Sequence, residues 1–310
     1  MTLLYNDLAL GRSSIISENR QRRPNQVRGE DSCPFCIHNK SDIEKILMET
    51  HTPDGEYIRI VNNKYPVCHI EGPLYGMHDV VIETADHKKR PYNYSKAHWY
   101  SLIKLMQERW KVLETNPRIK FIQIFKNEGE EAGASIRHAH WQIIALEEVP
   151  YTMSRHYSGV EEAYHVGGCS LCKTEENDPF CIMENKMWRL IVPKGAGLPY
   201  ESWIIPKKHI SHFGQIEEND MEELSLVLRE TLQLYECILP NLSYNVCVMS
   251  GRPHADDTYH FYIKVLPRTG NFAGFELATG CYINVLNPQK QAAIMQESLK
   301  RLRGNKDGDK

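Results

Sequence analysis

Between Ser95 and Glu114 the apolar residues Trp99, Leu102, Leu105, Met106, Trp110 and Leu113 recur at helical spacing. This predicts an amphipathic helix with one buried stripe. Short runs rich in β-branched and aromatic residues surround it and predict strands at 57–61, 79–84, 121–125 and 138–146. The later part of the chain gives strands at 188–192 and 202–205, a helix at 220–235, and strands at 244–249 and 260–266. After Ser298 the polar tail is expected to be helical at its start and disordered beyond.

The second series repeats the order of the first. Each half opens on a Cys-x-x-Cys pair, Cys33 and Cys36 or Cys169 and Cys172, and continues strand, strand, helix, strand, strand. His87 and His138 lie 51 residues apart, and so do His209 and His260. Equal spacing with equal element order marks an internal duplication. The expected architecture is α+β: two tandem domains, 1–160 and 161–310, each an antiparallel β-sheet packed with helices, with the boundary between 155 and 168.

Composition adds exclusions. With 41% hydrophobic residues, 25% charged residues and a net charge of -3, nucleic acid in bulk is disfavoured as a partner. No long apolar run or signal-like start occurs, so a cytoplasmic protein without a membrane partner is expected. Nine cysteines in a reducing compartment suggest metal ligation more than disulfides. Cys68, Cys181, Cys237, Cys247 and Cys281 read as small buried residues.

The two Cys-x-x-Cys pairs become tetrahedral sets once the repeated histidines are added. Cys33, Cys36, His87 and His138 form one candidate Zn2+ site, and Cys169, Cys172, His209 and His260 form a second. Assigning His138 to metal leaves His140 without a metal role. Side chains alternate along a strand, so His138, His140 and Gln142 should share one face. The duplicate strand keeps His260 but has Tyr262 and Lys264 in place of His140 and Gln142. The second half kept the metal ligand and lost the second histidine, so chemistry is expected in the first half.

An imidazole anchored beside a metal site can act as general base or nucleophile. Phosphorus is the expected electrophile. Asn127, the backbone around Gly133 and Ala134, Ser135 and Gln142 offer donors to phosphoryl oxygens, and Arg20 and Arg23 offer charge.

These residues resemble the histidine triad superfamily, in its galactose-1-phosphate uridylyltransferase branch, which includes ADP-glucose phosphorylase and diadenosine tetraphosphate phosphorylases. The resemblance rests on Asn127-Glu-Gly129, Gly133-Ala-Ser135, His138-Ala-His140-Trp-Gln142, the Arg20 to Pro24 segment, Asn63, both Cys-x-x-Cys pairs and Gly274-Phe275-Glu276. It implies nucleotidyl transfer from a nucleotide sugar, UDP-glucose or ADP-glucose, to a hexose 1-phosphate or phosphate, through a nucleotidyl-His140 intermediate. It further implies that Asn63, Asn127, Ser135 and Gln142 contact the nucleotide, Arg20 and Arg23 the phosphates, and Phe275 and Glu276 the sugar, in a homodimer. Ala139 and Arg137 stand where uridylyltransferases usually carry proline, and His260-Phe261-Tyr262 lacks their usual His-x-His pair. The second Cys2His2 set and the 273–284 segment look more like the ADP-glucose phosphorylase branch. The alternatives are an ADP-sugar or dinucleoside polyphosphate phosphorylase, a nucleotide hydrolase of the same superfamily, and a zinc-stabilised nucleotide-binding protein without turnover.

Overall fold

Strand-forming runs that alternate between an apolar and a mixed face pair antiparallel throughout the chain. The computed structural model describes residues 2–9, 11–22, 30, 33–36, 45–173, 177–254 and 258–307. A separate hairpin, β1 (Thr2–Asp7) with β2 (Arg12–Ser17), precedes the main sheet. The first half then gives β3 (Ile46–His51), β4 (Tyr57–Asn62), β5 (Gly76–Ile82), β6 (Phe121–Glu128) and β7 (His140–Leu146). The second half gives β8 (Cys181–Glu184), β9 (Trp188–Ile191), β10 (Ser202–Pro206), β11 (Tyr244–Met249) and β12 (Tyr262–Pro267).

These strands form one ten-stranded sheet in the order β3-β4-β5-β7-β6-β11-β12-β10-β9-β8. Read from either outer edge inward, the two halves follow the same sequence of strands, so the duplication is visible in the topology. The halves join where β6 meets β11, from Tyr244 opposite Glu128 to Cys247 opposite Phe125.

Three helices cover one face: α1 (Lys96–Glu114), α3 (Glu218–Ile238) and α5 (Pro288–Asp307). Ser95 caps α1 by accepting from the His98 N–H. The core beneath them combines Trp99, Trp110, Trp141, Trp188 and Tyr235 with aliphatic side chains of both halves. Gln107 of α1 donates to the carbonyls of Phe213 and Ile216, tying the halves together. α2 (Tyr151–Gly167) lies on the other face, where Tyr157 packs with Phe121, Leu146, Ile205, Tyr259 and Tyr262. Leu146 shares that face with His140 and Gln142 by strand alternation.

Three sequence expectations need correction, the first being that Cys237 and Cys281 are buried: both are exposed. β7 starts at His140 and not at 138, although the Glu83 N–H still donates to the Ala139 carbonyl just outside the ladder. The helical tail runs on to Asp307, with Ala292, Met295 and Leu299 buried against α3. Helix α2, with Tyr157 as its one buried residue, spans most of the segment between the two halves.

Candidate active site

The first cysteine pair sits in a tight turn in which the Cys36 N–H donates to the Cys33 carbonyl. His138 Nδ1 lies 3.7 Å from Cys33 Sγ and 3.6 Å from Cys36 Sγ, and His87 Nδ1 lies 3.4 Å from Cys36 Sγ. All four residues are buried, with one ligand atom from each within 4.8 Å of the others. His138 Nε2–H donates to the Thr84 carbonyl at 2.8 Å, which leaves the Nδ1 lone pair facing the sulfurs. Burial pushes the His138 imidazole down to about 4 and the Cys33 thiol up. A neutral imidazole suits ligation, and a thiolate in such a place needs a cation beside it.

The second set repeats this geometry. Cys169 and Cys172 Sγ lie 3.2 and 3.3 Å from His260 Nδ1, and Cys172 Sγ lies 3.2 Å from His209 Nδ1. His260 Nε2–H donates to the Pro206 carbonyl at 3.1 Å, the counterpart of the His138 bond to Thr84. Here Cys172 is exposed. Both sets have the donor chemistry to hold a metal ion. A third group, Asp54, Glu56 and His98, is different: the Lys89 ammonium and the Thr84 hydroxyl already bond Glu56, so the cation there is a side chain.

His140 is 5% exposed and its Nδ1 lies 2.9 Å from the His138 carbonyl. A carbonyl only accepts, so Nδ1 carries the proton and Nε2 keeps its lone pair. Burial, with the Lys126 charge next in importance, pushes this imidazole down to about 4. It is therefore a neutral base at neutral pH. Phe35, between the two cysteines, packs edge-on against the His140 ring with centroids 5.2 Å apart.

Gln142 and Asn63 converge on a residue that the sequence reading did not single out. The Val67 N–H donates to His78 Nδ1 at 3.2 Å, so His78 Nε2 bears hydrogen and donates to Gln142 Oε1 at 3.1 Å. The Gln142 NH2 is thus turned away from His78 and available as a donor. Asn63 Nδ2 also lies 3.1 Å from His78 Nε2, while Asn63 Oδ1 accepts from the Tyr65 N–H. Arg20 donates to the Tyr65 carbonyl at 2.8 Å, holding the same segment. Arg23 lies outside the described residues.

Asn127 Oδ1 accepts from Asn245 Nδ2 at 2.8 Å, and Arg268 Nε donates to Asn245 Oδ1, so this residue is oriented by the second half. Gly129 and Gly133 both adopt φ 82°, which favours glycine. Their turn uses the amides expected for phosphate: Gly133 N–H donates to the Glu130 carbonyl and Ala134 N–H to the Gly129 carbonyl. Ser135 borders a cavity of about 380 Å³ together with Arg90, Glu128, Arg137 and Tyr244. Phe275 and Glu276 stand on α4 (Gly274–Thr279), and the hydrogen bonds of their segment stay within that helix and its caps.

Lys126 is the second residue the sequence reading passed over. It is fully buried between Glu83 and Glu128. Its one trace in the sequence is a charge that directly follows the apolar Phe121, Ile122, Ile124 and Phe125, in a strand that also holds Gln123, Asn127 and Glu128.

Residues 15–149 match a family model described as the N-terminal domain of DUF4931, a domain of unknown function. ADP-glucose phosphorylase of Arabidopsis thaliana is 29% identical over 95% of this chain and 92% of its own length. The crystal structure of that plant enzyme with bound ADP-glucose matches with a TM-score of 0.79 and 30% identity, covering 96% of this chain and 99% of the other. Galactose-1-phosphate uridylyltransferase of Thermotoga maritima is 25% identical over 96% of this chain and 98% of its own length.

Proposed function

Because the chain belongs to the galactose-1-phosphate uridylyltransferase branch of the histidine triad superfamily, we propose that it is a nucleotidyltransferase acting on a nucleotide sugar through His140. The observation that carries this reading is the His140 ring itself: buried, neutral, with Nδ1–H given to the His138 carbonyl and Nε2 bearing a lone pair. Attack of Nε2 on the α-phosphorus forms an N–P bond and breaks the bond to the bridging oxygen, releasing sugar 1-phosphate. An oxygen of inorganic phosphate, or of a hexose 1-phosphate, then displaces the histidine and takes the nucleotidyl group. With ADP-glucose and phosphate the products are glucose 1-phosphate and ADP.

The residues around His140 have complementary tasks in this reading. Gln142, oriented by His78, donates to an α-phosphate oxygen where charge grows in the transition state. Asn63, Asn127 and Ser135 hold the nucleotide, Arg20 and Arg23 neutralise phosphate, and the Gly129 to Gly133 turn shapes the loop that presents Ser135. Adenine and phosphate are favoured over uracil and hexose 1-phosphate as base and acceptor, since the plant ADP-glucose phosphorylase is the more similar of the two relatives. Zn2+ in both Cys2His2 sets would anchor the strand that carries each ligand histidine. The residues 1–160 and 161–310 are read as two histidine triad-like units sharing one sheet. Phe275 and Glu276 would serve the sugar of a partner subunit in a homodimer. The apolar run on the same segment, with Leu277, Tyr282, Ile283 and Val285 at 75, 51, 63 and 88% exposure, supports that pairing.

Incubating the protein with ADP-glucose or UDP-glucose, each with and without phosphate, tests the reading. Phosphate-dependent release of glucose 1-phosphate and a nucleoside diphosphate is expected, faster with ADP-glucose. Turnover that ignores phosphate and yields nucleoside monophosphate would identify a hydrolase. No turnover and no exchange with either sugar nucleotide would reduce the protein to a binding module.

A further inference from the structure

Behind the strand that carries His140, on the helix-covered face, lies a fully buried lysine. Lys126 of β6 is 0% exposed, bonds the fully buried carboxylate of Glu83, and lies 2.9 Å from Glu128, which is 14% exposed. Desolvating these groups is costly, and an apolar trio of similar volume would serve the fold as well. Their placement suggests another purpose. The ladder between β6 and β7 ends at the pair Lys126 and Trp141. The carbonyl of His140 lies just past that last pair, and the Lys126 ammonium contacts it at 3.4 Å. Glu83 completes the hold from the other side, its N–H donating to the Ala139 carbonyl at 3.3 Å.

The duplicated half provides an internal control. Trp141 stands three residues after the ligand His138, and Ile263 stands three after the ligand His260. Opposite Trp141 is Lys126; opposite Ile263 is the buried Val248. The half that keeps its Cys2His2 set but has Tyr262 in place of His140 therefore builds the same strand pair with an apolar residue. Neither the fold nor the metal set requires a lysine at this position; what differs between the halves is the nucleophile.

We propose that Lys126, held between Glu83 and Glu128, is a positioning residue that fixes the backbone of His140 so that Nε2 meets the α-phosphorus in line. This rests on the reading of His140 as the nucleophile. Reactions of this kind depend on sub-ångström placement of the attacking atom, and a small backbone shift at His140 would displace its whole ring. Lys126 stays behind the strand and touches no substrate.

The test is single-turnover formation of the nucleotidyl-enzyme from α-labelled ADP-glucose by the full-length, metal-loaded protein. Wild type is compared with Lys126→Met and with the double variant Lys126→Met/Glu83→Gln, in which both buried charges are removed together. For the single variant the expected rate loss is about 10²-fold, with the substrate concentration for half-maximal rate changed by less than about threefold. The double variant is expected to recover the wild-type thermal midpoint and metal content while staying slow. Should Lys126→Met fail to fold, the double variant carries the comparison alone. Wild-type rates in either variant, or a rate that returns with the thermal midpoint in the double variant, would overturn the proposal, since the trio would then be structural. If wild type itself takes no label, the His140 reading fails and this one with it; a labelled wild type with equally fast variants sinks the Lys126 proposal alone.

Discussion

His140 shows how far one side chain's chemistry is set by its neighbours. Its imidazole sits at about 4, against 6.5 for an ordinary one, chiefly because burial penalises the charged ring. Protonating Nε2 removes the lone pair, so nucleotidyl transfer is lost only as pH falls through the folded value. Single-turnover rates should therefore stay flat from neutral pH to about 5; an acid limb centred near 6.5 would contradict the buried environment. Gln142→Leu removes one donor to the developing charge and should lower kcat by about 10²-fold. His78→Phe, which leaves the amide in place without its guide, should cost about tenfold, measured by steady-state phosphorolysis. The difference in position between His138 and His140 was legible in the sequence because the duplicate strand keeps one histidine and replaces the other. His78 and Lys126 were not, because their meaning lies in contacts across strands: His78 with Gln142, and Lys126 with Glu83 from another strand's end.

Among the elements, the turn between β6 and β7 combines a left-handed backbone with close packing. Gly129 adopts φ 82°, and a Cβ there would come 2.2 Å from Ser243 Oγ. Gly129→Ala combines backbone strain with a clash and should destabilise the protein by about 1–3 kcal/mol, read as a lowered midpoint in denaturant unfolding. Gly133 has the same φ but open space beside it, so Gly133→Ala should cost less than Gly129→Ala in the same experiment. Most strands and the helices α1 and α3 were predictable from periodicity. Helix α2 was not, since one face of it is thinly covered and its neighbours Tyr259 and Tyr262 come from the far end of the chain. The expected phosphate amides of Gly133 and Ala134 also read differently in three dimensions, because the turn's own carbonyls take them.

At the scale of the molecule, duplication builds two five-stranded halves that pair edge to edge through β6 and β11. The repeat made each half legible, but the seam was not, because nothing local in Tyr244 to Cys247 specifies Phe125 to Glu128 as partner. The seam also explains why Asn127 is oriented by Asn245 and Arg268 of the other half. The two Cys2His2 sets differ in access: the first is buried, while Cys172 of the second is exposed. Elemental analysis should find two zinc ions per chain, and graded chelation should remove the second before the first. Transfer activity should survive loss of the more exposed ion and disappear with the buried one, because the latter would anchor His138 and through it His140. The covalent step at His140 is the centre of the proposed function. Peptide mass mapping after incubation with ADP-glucose in the absence of acceptor measures it directly. An adenylyl adduct on His140, discharged by phosphate and missing in His140→Ala, is the predicted result; no adduct, or an adduct that persists in His140→Ala, would contradict it.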